Sequence, residues 1–149
     1  MKKLILLPLI FFLISTYSSA QNKSLSSKDF TQLDLAEKEM VNALSNGDST
    51  AFKKIAGDEY IDINANGTRL TLEGMLLDLP NYKGLSVKFS EQAQRVYGTF
   101  VLRTGRGTLY SGGQQVGEVF YTQGWIYRNK RWQFVHWQGT MTKDFLQKK

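Results

Sequence analysis

Cysteine is absent from the sequence, histidine occurs once, and there are only two prolines. Without thiols there can be no disulfide, no thiolate zinc site and no cysteine nucleophile. A lone imidazole, His136, leaves too few nitrogen ligands for a histidine-built metal centre. Nothing in the composition calls for a metal or a cofactor. Concentrated charge is missing too. The formal net charge is +6, but the basic residues lie in short separate groups: Lys53-Lys54, Arg128 to Arg131 and Lys148-Lys149. Nucleic-acid binders gather such charge on one face, so no nucleic-acid partner is expected.

The apolar run Leu4 to Ile14 contains Pro8 and is about half of the roughly 20 residues that span a bilayer. Lys2 and Lys3 precede it, and Ser18-Ser19-Ala20 follow with small side chains. That is the order of a cleaved secretory leader. Residues 1–20 are therefore predicted to be removed, leaving 21–149 as a single domain in the periplasm or outside the cell. Losing the two lysines takes the net charge from +6 to +4. No integral membrane segment is expected after cleavage. A mature chain of this length can form one core without disulfides.

Ser26 and Asp29 have the spacing of a capping box, and Phe30, Leu33, Ala36, Met40 and Leu44 then form one apolar helical face. Asn46-Gly47 ends that helix, and Asp48 caps a second, "STAFKKIA". "EYIDIN" reads as a strand and "ANG" as a turn. Thr71 caps a third helix, "LEGMLLDL", which ends at Pro80. Strands are predicted over about 85–96, 99–110, 117–128 and 131–142, separated by turn-prone "YG", "SGGQQ" and "RNK". About three early helices followed by a run of antiparallel strands is an α+β plan.

In the last strand, "RWQFVHWQGTM", alternation puts Trp132, Phe134, His136, Gln138 and Thr140 on one face. Gln133, Val135, Trp137, Gly139 and Met141 share the other. The preceding strand has Val119, Tyr121 and Trp125 on one side, Phe120 and Ile126 on the opposite side. Both faces are substantially apolar, whereas a sheet with one wet face alternates more cleanly. Helices can cover one face, and a second copy of the chain is the simplest cover for the other, so a homodimer is expected.

Four stretches carry a family resemblance: "AEKEMVNALSNGDSTAFKKI", "EYIDINANGTRLTLEGML", "RVYGTFVLRTGRGTL" and "YTQGWIYRNKRWQFVHWQGT". Their order resembles the nuclear transport factor 2-like (SnoaL-like) superfamily, and within it a bacterial domain-of-unknown-function group. The matching landmarks are Gly47-Asp48, then Gly67 and Thr71, then Trp125, Arg128 and Trp132. The resemblance implies a cone-shaped fold, a curved antiparallel sheet wrapped around the helices, with a partly apolar pocket at its open end. Many members dimerise through the outer sheet face. Isomerases, dehydratases, cyclases and pure scaffolds share the fold, so the pocket must decide function.

For an isomerase, the resemblance puts a carboxylate base about three residues before Gly67. That position is Asn64, an amide that cannot take a proton at neutral pH. Asp62, one strand step earlier, shares its face and could stand in. "VHWQGT" is also similar to the association domain of calcium/calmodulin-dependent kinase II, where the corresponding strand lines the cone. By that likeness His136 and Gln138 point inward. His136 would then be a catalytic base, a ligand contact or a satisfied structural group, with Asp62 and Glu118 as candidate orienting acids. Arg103 and Arg106 lie on opposite faces of one strand. Arg106 is favoured as the inward cation, because its face carries Phe100, Leu102 and Thr104. Tyr121 and Trp125 supply aromatic lining. The leading expectation is an exported small-ligand-binding protein whose contacts are His136, Gln138, Asp62, Asn64, Arg106, Tyr121 and Trp125. The alternatives are an isomerase, dehydratase or hydrolase using His136 or Asp62, and an assembly module with a filled cone.

Overall fold

A computed structural model describes residues 25–147. The predicted leader, 1–20, lies outside them. Helix α1 spans Ser27–Asn46. Ser26 caps it as expected: the Asp29 amide donates to Ser26 Oγ, and the Ser26 amide donates to Asp29 Oδ2 at 2.8 Å. Leu33, Met40 and Ala43 form its buried face. Gly47 ends it at φ +64°, in the left-handed region that glycine adopts without strain. Asp48 then caps α2, Ser49–Ile55.

The first strand, β1, is Ala56–Ile63, and β2 is Arg69–Thr71. Thr71 caps α3, Leu72–Asp78, which runs into a 3₁₀ turn, Leu79–Tyr82. Four long strands follow: β3 Leu85–Tyr97, β4 Phe100–Ser111, β5 Gln114–Arg128 and β6 Arg131–Met141. A short helix α4, Lys143–Gln147, ends the described chain. The strands form one curved, unclosed sheet in the order β2-β1-β6-β5-β4-β3. The architecture is thus the expected α+β one. One pairing differs from an all-antiparallel sheet: β1 and β6 run parallel. The helices fill the concave side.

The core is largely aromatic. Phe52 meets Tyr60 edge-on with centroids 5.4 Å apart, and Phe134 lies 4.7 Å from Trp125. Trp132 closes this end by donating its indole N–H to the Asp29 carbonyl at 2.7 Å. Near the middle of α1 a charged clamp holds helix to sheet. Arg103, on β4, is 3 % exposed and pairs with Glu37 at 3.0 Å and with Asp34, both on α1. Its Nε–H also donates to Gln94 on β3. Gln92 reaches Glu37 from β3 as well, at 3.0 Å. That reach depends on an irregularity in β3 between Ser90 and Ala93, where Glu91 takes a positive φ of 53°. The extra residue turns Gln92 and Gln94 toward the helix.

A second irregularity lies in β6. Gly124 faces His136 and Trp125 faces Phe134, so Val135 is the additional residue. Up to Phe134 the expected alternation holds, with Trp132 and Phe134 inward. Beyond Val135 the phase reverses: Trp137, Gly139 and Met141 face the interior, and His136 and Gln138 face the convex side. The expectations that His136 and Gln138 point inward, and that Trp137 points outward, are both corrected by this single residue. The convex face carries half-buried Phe100, Leu102 and Ile126 and an exposed Phe120.

The clamp makes a quantitative statement about stability. Arg103→Ala strands the mostly buried Glu37 carboxylate and will lower the unfolding free energy by about 2–4 kcal/mol in urea titration. Asp34→Ala, at a carboxylate 67 % exposed, will cost under about 1 kcal/mol. Equal costs would show that burial does not govern the clamp.

Candidate ligand pocket

The concave side keeps a cavity of about 230 Å³. One wall is α1, through Met40, Val41, Leu44 and Ser45. The start of β3 adds Leu85, Val87 and Phe89, and Leu109, Val116 and Val119 come from β4 and β5. Trp137, Gly139 and Met141 form the β6 wall. Trp137 is stacked on Tyr121 with centroids 5.3 Å apart and an angle of 9° between planes, and Phe89 lies 4.7 Å from Tyr121. Beside Ser45 and Ser86, the larger polar groups lie on β1, just after it, and on the turn after α3: Tyr60, Asp62, Asn64 and Tyr82. Alternation along β1 explains the first three, because Tyr60, Asp62 and Asn64 are two residues apart and share the inner face.

Asp62 is the chemically distinctive member. It is 3 % exposed, and the Tyr60 hydroxyl meets its Oδ2 at a long 3.4 Å. Its Oδ1 has no hydrogen-bond partner among the described residues. Burial pushes its carboxyl up to about 7, the charge of Asp78 on α3 pushes the same way, and the Tyr60 hydroxyl opposes them. Burial likewise raises Tyr82 and takes the Tyr121 hydroxyl up to about 12. Among the described residues, no three His, Cys, Asp or Glu side chains are grouped to hold a metal ion.

Other expected contacts lie elsewhere. Trp125 is completely buried in the aromatic core, donating to Gln123 at 3.0 Å, and is not part of the cavity wall. Tyr121 supports that wall from behind Trp137. His136 sits on the convex face against Gly124, where a Cβ on residue 124 would come within 2.9 Å of its own. Burial lowers its pKa, while a backbone contact with Ile61 raises it. Arg106 is also on the convex face, bonded to Glu118 at 2.7 Å and Glu91 at 3.2 Å, with its guanidinium 4.9 Å from the Phe120 ring centre. Phe100, Leu102, Thr104 and Arg106 do share a face, but it is the outer one. The inward arginine is Arg103, committed to its carboxylates.

No family model matches the chain, and no curated protein matches it in sequence. Solved structures do. A nuclear transport factor 2-like protein from Cytophaga hutchinsonii superposes with a TM-score of 0.64 at 16% identity, over 79% of this chain and 100% of that one. A protein with a cystatin-like fold from Nostoc punctiforme gives 0.70 at 11% identity, over 80% and 96%. A candidate calcium/calmodulin-dependent kinase II association domain from Exiguobacterium sibiricum gives 0.66 at 17% identity, over 80% and 97%.

The chain has the nuclear transport factor 2-like fold. Within that fold, the strand position where the resemblance expects a base holds Asn64, and the carboxylate that faces the cavity is Asp62. Trp137, Gly139 and Met141 are the wall residues that strict alternation missed. Their signal is a change of phase, since the large apolar side chains fall at 132 and 134 and then at 137 and 141.

The raised Asp62 carboxyl links stability to pH. Its folded pKa lies above the unfolded one, so its contribution is full below about pH 4 and is lost as pH rises through about 7. Asp62→Asn removes that loss. Thermal unfolding will find the variant more stable than the parent by about 2–4 kcal/mol at pH 8, and nearly equal to it at pH 4. A variant destabilised at pH 8 would show that the carboxylate is compensated after all.

Proposed function

We propose that this is an exported homodimeric protein whose cone holds a small, partly apolar molecule. The observation that carries the reading is the cavity itself: apolar walls on six elements, with the larger polar groups gathered around a buried carboxylate. Ligand pockets have this composition, many apolar contacts and a few convergent polar ones. The open volume weighs against a cone filled by its own side chains. Asp62 and Asn64 are the contacts retained from the sequence, joined by Tyr60, Tyr82 and Trp137. Export rests on the leader pattern in 1–20, and the dimer on the apolar convex face.

A second reading is favoured by one specific observation. A buried carboxyl held at about 7 is suited to taking and returning a proton at neutral pH, so Asp62 could serve an isomerase or dehydratase. His136, on the far side of the sheet, has no part in that chemistry.

The binding reading is tested by filling the cavity. 1-Octanol will raise the unfolding temperature of the protein, and Gly139→Leu, which projects a side chain into the cavity, will abolish the rise while staying folded. A rise that survives Gly139→Leu would move the binding site elsewhere. Protein recovered from its host's envelope will begin at Gln21 and sediment as a dimer, and Phe120→Glu on the convex face will dissociate it. A monomeric parent would remove the dimer from the reading, and an intact Met1 would remove the leader.

A further inference from the structure

We infer that the molecule held in this cavity carries a protonated amine, and that Asp62 is its counter-ion. The inference rests on the binding reading above and adds the chemical class of the ligand.

The starting point is an imbalance in the interior. Apart from the capping Asp29, the described chain buries the charged groups Arg103 and Asp62, and treats them differently. Arg103 has two carboxylates and a glutamine amide around it. Asp62 has one distant tyrosine hydroxyl, and its Oδ1 has no partner among the described residues. A hydroxyl-to-carboxylate bond is ordinarily about 2.5–3.0 Å, so even the contact at 3.4 Å is weak. A buried carboxylate in that state is costly unless something supplies the missing donors.

The surrounding elements do not supply them. The titratable and charged groups facing Asp62 are Tyr60 on its own strand, Asp78 on α3 and Tyr82 on the turn that follows. The parts of α1, β3, β4, β5 and β6 that line the cavity contribute none. Among the described residues lining the cavity there is no lysine, arginine or histidine. Asp78 adds a second negative charge to the same region. The field therefore repels a carboxylate or phosphate ligand and attracts a cation.

An ammonium group fits what is left open. It has donors but no acceptor, and it forms its strongest bonds with carboxylates. Asp62 Oδ1 is open to one N–H, and the hydroxyl oxygens of Tyr60 and Tyr82 and the side-chain carbonyl of Asn64 line the same cavity as further acceptors. The aromatic walls add to the preference, since ring faces attract cations. The remaining walls are apolar and take the body of the molecule. The cavity holds about 230 Å³, the space of roughly eight water-sized groups, which suits a short alkyl or single-ring amine.

Charge pairing gives the site a pH dependence. In the empty cavity burial keeps the Asp62 carboxyl near 7, so it is neutral in acid and cannot pair with an ammonium ion there. An alkyl amine stays protonated across this range. Its affinity will rise with pH up to about 8, and binding near neutrality will release a proton from Asp62.

Three probes with the same tail separate the possibilities: octylamine, 1-octanol and octanoate, titrated calorimetrically into the protein. At about pH 8 octylamine will bind about tenfold tighter than 1-octanol, and octanoate will bind weakest. At about pH 5 the amine's advantage will shrink to within a fewfold. Asp62→Asn will lose the preference for the amine, binding octylamine and 1-octanol within a fewfold of each other at pH 8. If the variant does not fold, the pH series on the parent decides the same question. 1-Octanol binding as tightly as octylamine at pH 8 would overturn the amine assignment and leave the binding reading standing. An amine preference that persists in Asp62→Asn, or is unchanged at pH 5, would overturn it as well. Failure of all three probes would overturn both.

Discussion

One added residue in the last strand governs the interior. Val135 has no partner of its own on β5, and everything after it is turned over relative to what precedes it. Because strand side chains alternate with a period of two, a single insertion exchanges the faces of the whole remainder. It brings Trp137 against Tyr121, gives the cavity the open space beside Gly139 and sends the lone histidine to the convex surface. Gly124 opposite is part of the same arrangement, since a side chain there would collide with both His136 and Phe100.

The second irregularity, at Glu91, serves the clamp between helix and sheet. By turning Gln92 and Gln94 toward α1, it completes the polar surroundings of Arg103. The two charged interiors then diverge in consequence. The arginine is satisfied within the chain and acts as a fastener between helix and sheet. The aspartate is left under-satisfied, in the place where the apolar walls stand apart. The satisfied arginine and the under-satisfied aspartate stand toward opposite edges of the sheet, in one cross-strand row that runs Asp62, Trp137, Gln123, Arg103.

Much of this plan was legible in the chain. Capping residues at 26, 48 and 71 placed the three helices, and glycine-rich turns placed the long strands within a few residues. The inward set on β1 was legible too, because that strand alternates without interruption from Tyr60 to Asn64. The interruptions are not visible to strict alternation. Alternation applied across Val135 assigns His136 to the wrong face, and the change of phase in the large apolar side chains, from 132 and 134 to 137 and 141, is a faint signal on a strand with two apolar faces. The arginines were misread for a different cause. Both faces of β4 are partly apolar, and it is the facing carboxylates of α1, distant in sequence, that draw Arg103 inward. Pairing between distant elements is what a local pattern does not contain.

The parallel contact between β1 and β6 joins the first long strand to the last, setting Ile61 beside His136. Contacts between residues so distant along the chain carry a larger loop-closure cost than local hairpins such as β5-β6. The acid of the cavity stands on β1 and its aromatic wall on β6. The cavity therefore needs the pairing of these two distant strands, and the β5-β6 hairpin alone does not enclose it.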